Sequence, residues 1–218
     1  MNINQLSRRG FLATAAMSGL GATGAFGPFI SAAEAADGKT LNVRLYGALD
    51  SLDPGYMVGG TPDLDTLWCI TPSLVHYGHD SSGAVVPRKT AYVQEIVQRD
   101  PTHIDFTLTP GLMWTNGFGE LTTEDVKYSF DRMAVSEWKG GFDAYERLDI
   151  IDKYKATIVL KSPFAPFMII SLASNTGSII CKKATEGVGG KFTTDMPATC
   201  GPYLYEWKQK QYIKFSFG

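Results

Sequence analysis

The sequence is poor in cysteine, has no run of basic residues and contains no long apolar segment after Ile30. Its 20 Lys and Arg are balanced by 22 Asp and Glu, so it offers no positive stripe that could neutralise a series of phosphates. Nucleic acid is therefore not an expected partner. A membrane-spanning helix needs about 20 consecutive apolar residues, and the chain beyond Ile30 has no such stretch.

Sequence motifs of enzymes and metal sites are missing as well. The chain has neither a Gly-x-Ser-x-Gly elbow nor a phosphate-binding loop, and no Ser or Cys has an identifiable base. His76 and His79 are close in sequence, but two histidines without a third ligand do not complete a metal shell, and His103 lies on a predicted strand. Four aspartates stand among turn-forming residues, where Asp is expected for local hydrogen bonds: Asp50, Asp53, Asp63 and Asp65. We expect no metal, no cofactor and no enzymatic activity.

The cysteine count is odd, so in an oxidising compartment at least one of the three thiols stays free or pairs with another chain. Cys181 and Cys200 are the favoured pair, with Cys69 left over. The alternative for each is a small buried side chain with a free thiol. A disulfide requires closely spaced Cα atoms, which the sequence does not give, so both interpretations stay open.

The remaining composition is that of a folded protein. With 44% hydrophobic and 12% aromatic residues, the chain can bury a sizeable core and is not disordered.

An arginine pair in the stretch from Ser7 to Ala13 precedes a mildly apolar run that reaches Ile30, a pattern typical of a twin-arginine signal. Ala33 and Ala35 fit the small-x-small rule of signal peptidase, so residues 1–35 are predicted to be removed.

A membrane anchor is the alternative for this N-terminal run. Five helix-disfavouring residues interrupt it: Gly19, Gly21, Gly24, Gly27 and Pro28. No cysteine next to the cleavage site could receive a lipid. The product is therefore expected in the periplasm, without membrane insertion after cleavage.

Hydrophobic periodicity predicts mixed strands and helices without a regular βαβ rhythm. Strands are predicted at Leu41 to Tyr46, in a hairpin of Tyr92 to Val97 with His103 to Leu108, at Thr157 to Lys161, and at Tyr203 to Trp207 and Tyr212 to Phe215. An irregular stretch through Pro62 precedes a short helix that Pro72 stops, and a further short apolar helix is predicted at Phe167 to Leu172. The clearest helix follows Leu121, because Thr and acidic residues at its start precede Val126, Phe130 and Met133.

Five stretches follow one another in an order and spacing typical of one known family. They are Ser51-Leu52-Asp53-Pro54, Trp114-Thr115-Asn116-Gly117, Leu121 to Phe130, Asp149 to Leu160, and Cys200-Gly201-Pro202-Tyr203. Together they resemble the family 5 extracellular solute-binding proteins, which include dipeptide-, oligopeptide- and nickel-binding proteins. The stretch from Leu121 to Phe130 is the specific one, because it is similar to the start of that family's signature helix.

The resemblance implies an α/β fold of the periplasmic binding protein type II class, with a mixed sheet and flanking helices. It implies a first part of lobe I at 36–79, an intermediate α/β subdomain at 80–163 and a second part of lobe I at 164–218. Members of the family are longer and close a second lobe over the solute. This chain is therefore expected to be the N-terminal portion, with Gly218 at a truncation and the closing lobe missing.

The resemblance also indicates ligand-binding residues. The loop formed by Val58, Gly59, Gly60 and Thr61 is expected to face the cleft, where the glycines would let a peptide main chain approach closely; a plain surface loop is the alternative. Phe142 and Tyr145 stand where the intermediate subdomain of similar proteins can touch the ligand, although core packing explains aromatic residues more often.

By resemblance, the function is capture of a peptide or a similar small solute for an ABC importer. The implied partners are the membrane permease and the ATPase of that importer. Two other functions stay open. One is an exported cofactor-dependent enzyme, which the lack of a catalytic constellation disfavours, and the other is a fragment without function of its own.

Overall fold

The computed structural model describes residues 47–57, 61–208 and 211–217. The predicted signal at 1–35 and the predicted strand from Leu41 to Tyr46 lie outside these residues. The described helices are α1 (Thr61–Ile70), α2 (Thr123–Met133) and α3 (Lys182–Gly187). The described strands are β1 (Val75–His79), β2 (Val85–Lys89), β3 (Val93–Asp100), β4 (His103–Leu108), β5 (Met113–Trp114), β6 (Gly119–Glu120), β7 (Tyr145–Ile150), β8 (Lys155–Leu160), β9 (Tyr203–Lys208) and β10 (Tyr212–Phe217).

An antiparallel sheet of four strands, in the order β3-β4-β8-β7, supports the main core. Burial alternates along β4, where Ile104, Phe106 and Leu108 are buried and the residues between them are half-buried. This is the period of a strand with one face against the core. The buried face packs in the same apolar cluster as Val126 and Phe130 of α2.

Helix α2 begins where the sequence predicts. Thr122 precedes it in an extended conformation, and its N–H donates to Asp125 Oδ2 at 3.0 Å. The carboxylate thus satisfies a backbone donor at the helix start, which lacks an intrahelical partner. Val126, Phe130 and Met133 are all buried, so the predicted apolar stripe is the one that anchors the helix.

A second apolar cluster joins three distant parts of the sequence: the segment before α1, helix α1 itself, and the chain around α3. Its buried members are Leu49, Leu52, Met57, Leu67, Ile70, Ile180, Phe192 and Met196. Burial of these side chains fixes the segment 47–57 against the chain between 180 and 196.

The two predicted hairpins are confirmed, with small differences at their ends. Strand β3 runs to Asp100 and β4 starts at His103, so the turn is shorter than the predicted Arg99 to Thr102. In the hairpin of β9 and β10, Trp207 pairs with Ile213 and both pack against the second cluster. The predicted strand at Thr157 to Lys161 is β8, and the predicted short helix after Phe167 is a single helical turn.

Other elements differ from the sequence prediction. Helix α1 starts at Thr61, so the irregular stretch predicted through Pro62 is too long; Pro is tolerated in a first helical turn, where its missing N–H has no partner to lose. The hairpin of β1 and β2, strand β7 and helix α3 were not predicted. A register shift between Tyr145 and Arg147 breaks the alternation of β7, and α3 is too short to show a helical period.

All three cysteines carry free thiols in this structure, so the favoured pair is not bonded. Cys181 and Cys200 are buried, and Cys69 is half-buried. Among the described residues, no helix is long and apolar enough to cross a membrane.

Candidate ligand-binding site

The segment from Asp50 to Met57, which leads into the predicted ligand loop, is fixed by a buried ion pair. Asp53 is fully buried, and its carboxylate oxygens accept hydrogen bonds from Arg132, at 2.7 Å from Nη1 and 2.5 Å from Nη2. Arg132 lies in the last turn of α2, and its side chain is 11% exposed. The pair joins segments that are 79 residues apart in sequence.

Further donors and acceptors complete this network. The backbone N–H groups of Gly55 and Phe192 each donate to the Asp53 carboxylate at 3.2 Å. Arg132 also donates to the carbonyl of Gly190, at 2.9 Å from Nη2 and 3.1 Å from Nε. Buried charges are accommodated when they are paired and hydrogen-bonded, which explains how Asp53 is held without exposed surface.

Tyr56 adds a cation–π contact on the same side. The Arg132 guanidinium carbon lies 4.9 Å from the centre of its ring, and Lys191 Nζ lies 3.6 Å from it. An aromatic face attracts a cation through its quadrupole. Arg132 at the end of α2 therefore contacts both the segment 51–57 and the chain after α3.

The backbone of this segment is bonded up to its last residue. Trp138 Nε1 donates to the Met57 carbonyl at 2.9 Å, and Asn175 Nδ2 donates to the Pro54 carbonyl at 3.3 Å. On the other side of the predicted loop, α1 begins at Thr61. Both ends of the loop are thus attached to fixed structure.

The predicted ligand residues themselves fall in different places. Val58, Gly59 and Gly60 lie outside the described residues. Thr61 is the first residue of α1. The role of this loop in ligand binding stays a prediction, to which the structure adds the anchoring of its two ends.

Phe142 and Tyr145 lie in the main core, and they are 1% and 2% exposed. The Phe142 ring is 5.1 Å from Phe130, 5.2 Å from Tyr145 and 5.4 Å from Phe167, between ring centres. Tyr145 donates its hydroxyl to Asp131 Oδ1 at 2.6 Å, and burial raises the pKa of Tyr145. Mutual packing thus accounts for both side chains, as the core alternative anticipated, and a ligand contact stays a prediction.

Asp63 is a second buried acid near the loop. It lies in the first turn of α1, and its Oδ1 accepts a hydrogen bond from the Asp50 N–H at 2.8 Å. Its Oδ2 has no hydrogen-bond partner, and burial raises the pKa of this carboxyl. The sequence predicts that Asp63 accepts a hydrogen bond within its own turn. In the structure it accepts one from a residue 13 positions away instead.

Within the described part of the chain, no three His, Cys, Asp or Glu side chains come together as a possible metal site. His76 packs edge-on against Trp68, with 6.3 Å between ring centres, and burial lowers the pKa of His76.

Two shallow grooves of about 260 and 380 Å³ run along α2 and α3. Charged side chains of both signs line these grooves, including Glu124 and Lys182.

Solved structures with the same fold are periplasmic binding proteins of the peptide-binding cluster. MoaA from A. tumefaciens R10, solved with mannopinic acid, has a TM-score of 0.67 and 22% identity, over 78% of this chain and 35% of that one. OppA from Burkholderia pseudomallei has a TM-score of 0.64 and 20% identity, over 78% and 37%. NikZ from Campylobacter jejuni, solved with Ni(L-His), has a TM-score of 0.61 and 19% identity, over 77% and 33%. The predicted fold class is confirmed.

Residues 90–216 match the family described as bacterial extracellular solute-binding proteins, family 5 Middle. The match covers more than half of the 218 residues, and the chain belongs to this family. No curated protein matches the chain. The chain spans about a third of the length of these solved proteins. The match covers 35% of MoaA, 37% of OppA and 33% of NikZ.

Proposed function

We propose that this chain forms part of the extracytoplasmic solute-binding subunit of an ABC importer. The observation that carries the proposal is the family match over residues 90–216, on a fold shared with proteins solved with bound solutes. Solute-binding proteins of this kind close two lobes on a ligand, and the contacts made in the closed state give the affinity. The subunit delivers its solute to a membrane permease that is driven by an ATPase.

A peptide is the proposed solute. Among the similar structures, one is a dipeptide-binding protein solved with Met-Leu and another is the AppA protein solved with a nonapeptide. The opine and nickel complexes of MoaA and NikZ show that the same fold also serves other small solutes. Peptides are therefore the first class to test, and an opine and a nickel complex are the next.

The proposed ligand-binding residues are Val58, Gly59, Gly60 and Thr61, with Phe142 and Tyr145 from the intermediate subdomain. Glycine permits close approach of a ligand main chain, which supports a role for the loop. The hydrogen bond from Trp138 to the Met57 carbonyl and the start of α1 at Thr61 hold the two ends of this loop.

The proposed organisation follows the family. Residues 36–79 and 164–218 belong to lobe I, and residues 80–163 form the intermediate subdomain. Residues 1–35 form a twin-arginine signal that directs the chain to the periplasm. Fusion of residues 1–35 to a reporter should give export that is lost when Arg8 and Arg9 are both replaced by Lys.

Calorimetric titration tests the function directly. The chain, and any longer product of the same reading frame, would be titrated with a dipeptide, a nonapeptide, mannopinic acid and nickel with L-histidine. We expect a saturable isotherm with one peptide per molecule in a product that contains both lobes. The chain of residues 1–218 alone should bind no peptide at micromolar concentration, because one lobe cannot enclose the ligand.

Variants of the loop locate the site. Gly59→Val and Gly60→Val should weaken peptide binding by roughly tenfold or more, since the added side chains keep the ligand main chain away. Gly140→Val is the matched control, because a Cβ at Gly140 meets no atom within 4 Å. Equal affinities for all three variants would remove the loop from the site, and a two-lobed product that binds none of the four solutes would overturn the proposed function.

A further inference from the structure

The turn between β5 and β6 contains an asparagine that is followed by a glycine. Asn116-Gly117 is the single Asn-Gly pair of the sequence. Asn116 has a φ of 60° and a ψ of 22°, and Gly117 has a φ of 73°. Glycine and asparagine adopt this left-handed conformation more readily than other residues. Both residues are exposed, so the pair is in contact with water.

The side chain of Asn116 connects this turn to a distant segment of the chain. Its Nδ2 donates to the Pro197 carbonyl at 3.1 Å, across 81 positions of sequence. Beside this bond, the Thr115 N–H donates to the Thr199 carbonyl at 2.9 Å, and the Thr199 N–H donates to Thr115 Oγ1 at 2.9 Å. The connection between residues 115–117 and 197–199 therefore depends in part on the amide group of Asn116.

Gly117 leaves its backbone nitrogen open to the side chain of the preceding residue. Attack of this nitrogen on Asn116 Cγ closes a five-membered ring, and a following residue with a side chain would hinder that attack. A Cβ built on Gly117 meets no atom within 4 Å, so the space around the turn is free. Ring closure requires rotation about ψ of Asn116. The hydrogen bond across the turn, from the Phe118 N–H to the Thr115 carbonyl, is long at 3.5 Å, so it opposes this rotation only weakly.

Asn175 is the contrasting asparagine within the described residues. It is buried, and its Nδ2 donates to the Pro54 carbonyl at 3.3 Å. The next residue is Thr176, which is also buried and is branched at Cβ. The branched side chain shields the backbone nitrogen, and burial keeps water away. The same reaction is therefore not expected at Asn175.

We propose that Asn116 is a site of spontaneous deamidation, with water as the second reactant. The Gly117 nitrogen loses its proton to a solvent base and attacks Asn116 Cγ. The bond from Cγ to Nδ2 breaks, and Nδ2 leaves as ammonia with a proton taken from water. Water then opens the cyclic imide, at Cγ to give aspartate or at the backbone carbonyl carbon to give isoaspartate. The chain gains one water and loses one ammonia, and the neutral amide becomes a carboxylate.

Neither product can keep the hydrogen bond to Pro197. A carboxylate only accepts hydrogen bonds, so it would face the Pro197 carbonyl without a donor between them. In isoaspartate the main chain is also longer by one atom, which displaces Gly117 relative to the contact of Thr115 with Thr199. Deamidation would therefore weaken the connection between residues 115–117 and 197–199. The inference does not rest on the proposed function, and its test needs no solute.

The experiment incubates the purified chain of residues 1–218 at neutral and at mildly alkaline pH, both folded and in urea. Peptide mass spectrometry should show conversion of Asn116 to a mixture of aspartate and isoaspartate, with release of an equal amount of ammonia. The rate should rise in proportion to hydroxide concentration, because the deprotonated nitrogen is the nucleophile. The chain in urea should convert faster than the folded chain, since ψ of Asn116 then rotates freely.

Asn116→Gln is the matched control, because it keeps an amide but would have to close a six-membered ring, and it should stay unconverted over the same period. Asn175 is the internal control and should stay intact in the folded chain. Asn116→Asp, which reproduces one product, should unfold roughly 2–4 °C below the unmodified chain because it lacks the donor to Pro197.

Two results would overturn the deamidation site. One is an Asn116 that stays intact in the folded chain while it converts in urea, and the other is conversion of Asn175 in the folded chain as fast as Asn116. An Asn116→Asp variant with an unchanged unfolding midpoint would overturn the proposed weakening of the connection to residues 197–199.

Discussion

Replacement of Arg132 by Met would remove one partner of the buried ion pair while keeping most of the volume of the side chain. Asp53 would then be a carboxylate with no exposed surface and no cation in contact. Loss of one partner of a buried pair costs about 3–5 kcal/mol, because the remaining charge is desolvated without compensation. The Gly190 carbonyl would also lose both of its guanidinium donors.

Thermal unfolding followed by circular dichroism measures this effect. A domain of this size loses about 2–4 °C of Tm per kcal/mol, so Arg132→Met should unfold roughly 6–20 °C below the unmodified chain. Arg147→Met is the matched control, because Arg147 bonds Glu146 and Asp149 on the surface with 49% of its side chain exposed. Exposed pairs contribute little, so the control should unfold close to the unmodified chain.

A double variant separates the pair from other effects of Arg132. Asp53→Asn combined with Arg132→Met should cost less than the sum of the two single changes, because the second change removes a charge that the first left unpaired. Equal unfolding midpoints for Arg132→Met and Arg147→Met would refute the reasoning, and so would strict additivity of the two single changes.

Three further predictions concern other parts of the fold. Phe142→Ala should lower the free energy of unfolding by about 3–5 kcal/mol, measured by urea denaturation, because it opens a cavity in the aromatic core. Gly201→Ala should be destabilising by about 1–3 kcal/mol in the same assay, since its Cβ would lie 2.4 Å from the backbone of Ile70, whereas Gly140→Ala should cost less. Asp63→Asn should gain stability relative to the unmodified chain as pH rises from about 4 to 7. Burial raises the pKa of Asp63 in the folded state. The protonated carboxyl therefore stabilises the fold fully below the pKa of the unfolded state, and this stabilisation is lost as pH rises through the pKa of the folded state.

The elements that the sequence predicts correctly depend on interactions between residues that are close in the chain. The start of α2 could be predicted because Thr122 and Asp125 form their hydrogen bond within one turn and the apolar stripe repeats at helical spacing. The hairpin of β9 and β10 could be predicted for the same reason, since alternation and turn residues are contiguous in sequence. The ion pair of Asp53 with Arg132 could not be predicted. The turn-forming residues around Asp53 already explained an aspartate there, and Arg132 is 79 residues away in sequence.

The sequence by itself determined the elements with strong periodicity, because short-range patterns encode them, and its resemblance to the family 5 solute-binding proteins implied the class of fold. Only the tertiary structure showed which groups meet across long separations, as Asp53 does with Arg132 and Asp63 with the Asp50 N–H. Such contacts depend on how elements pack in space, and that packing leaves no periodic trace in a single chain.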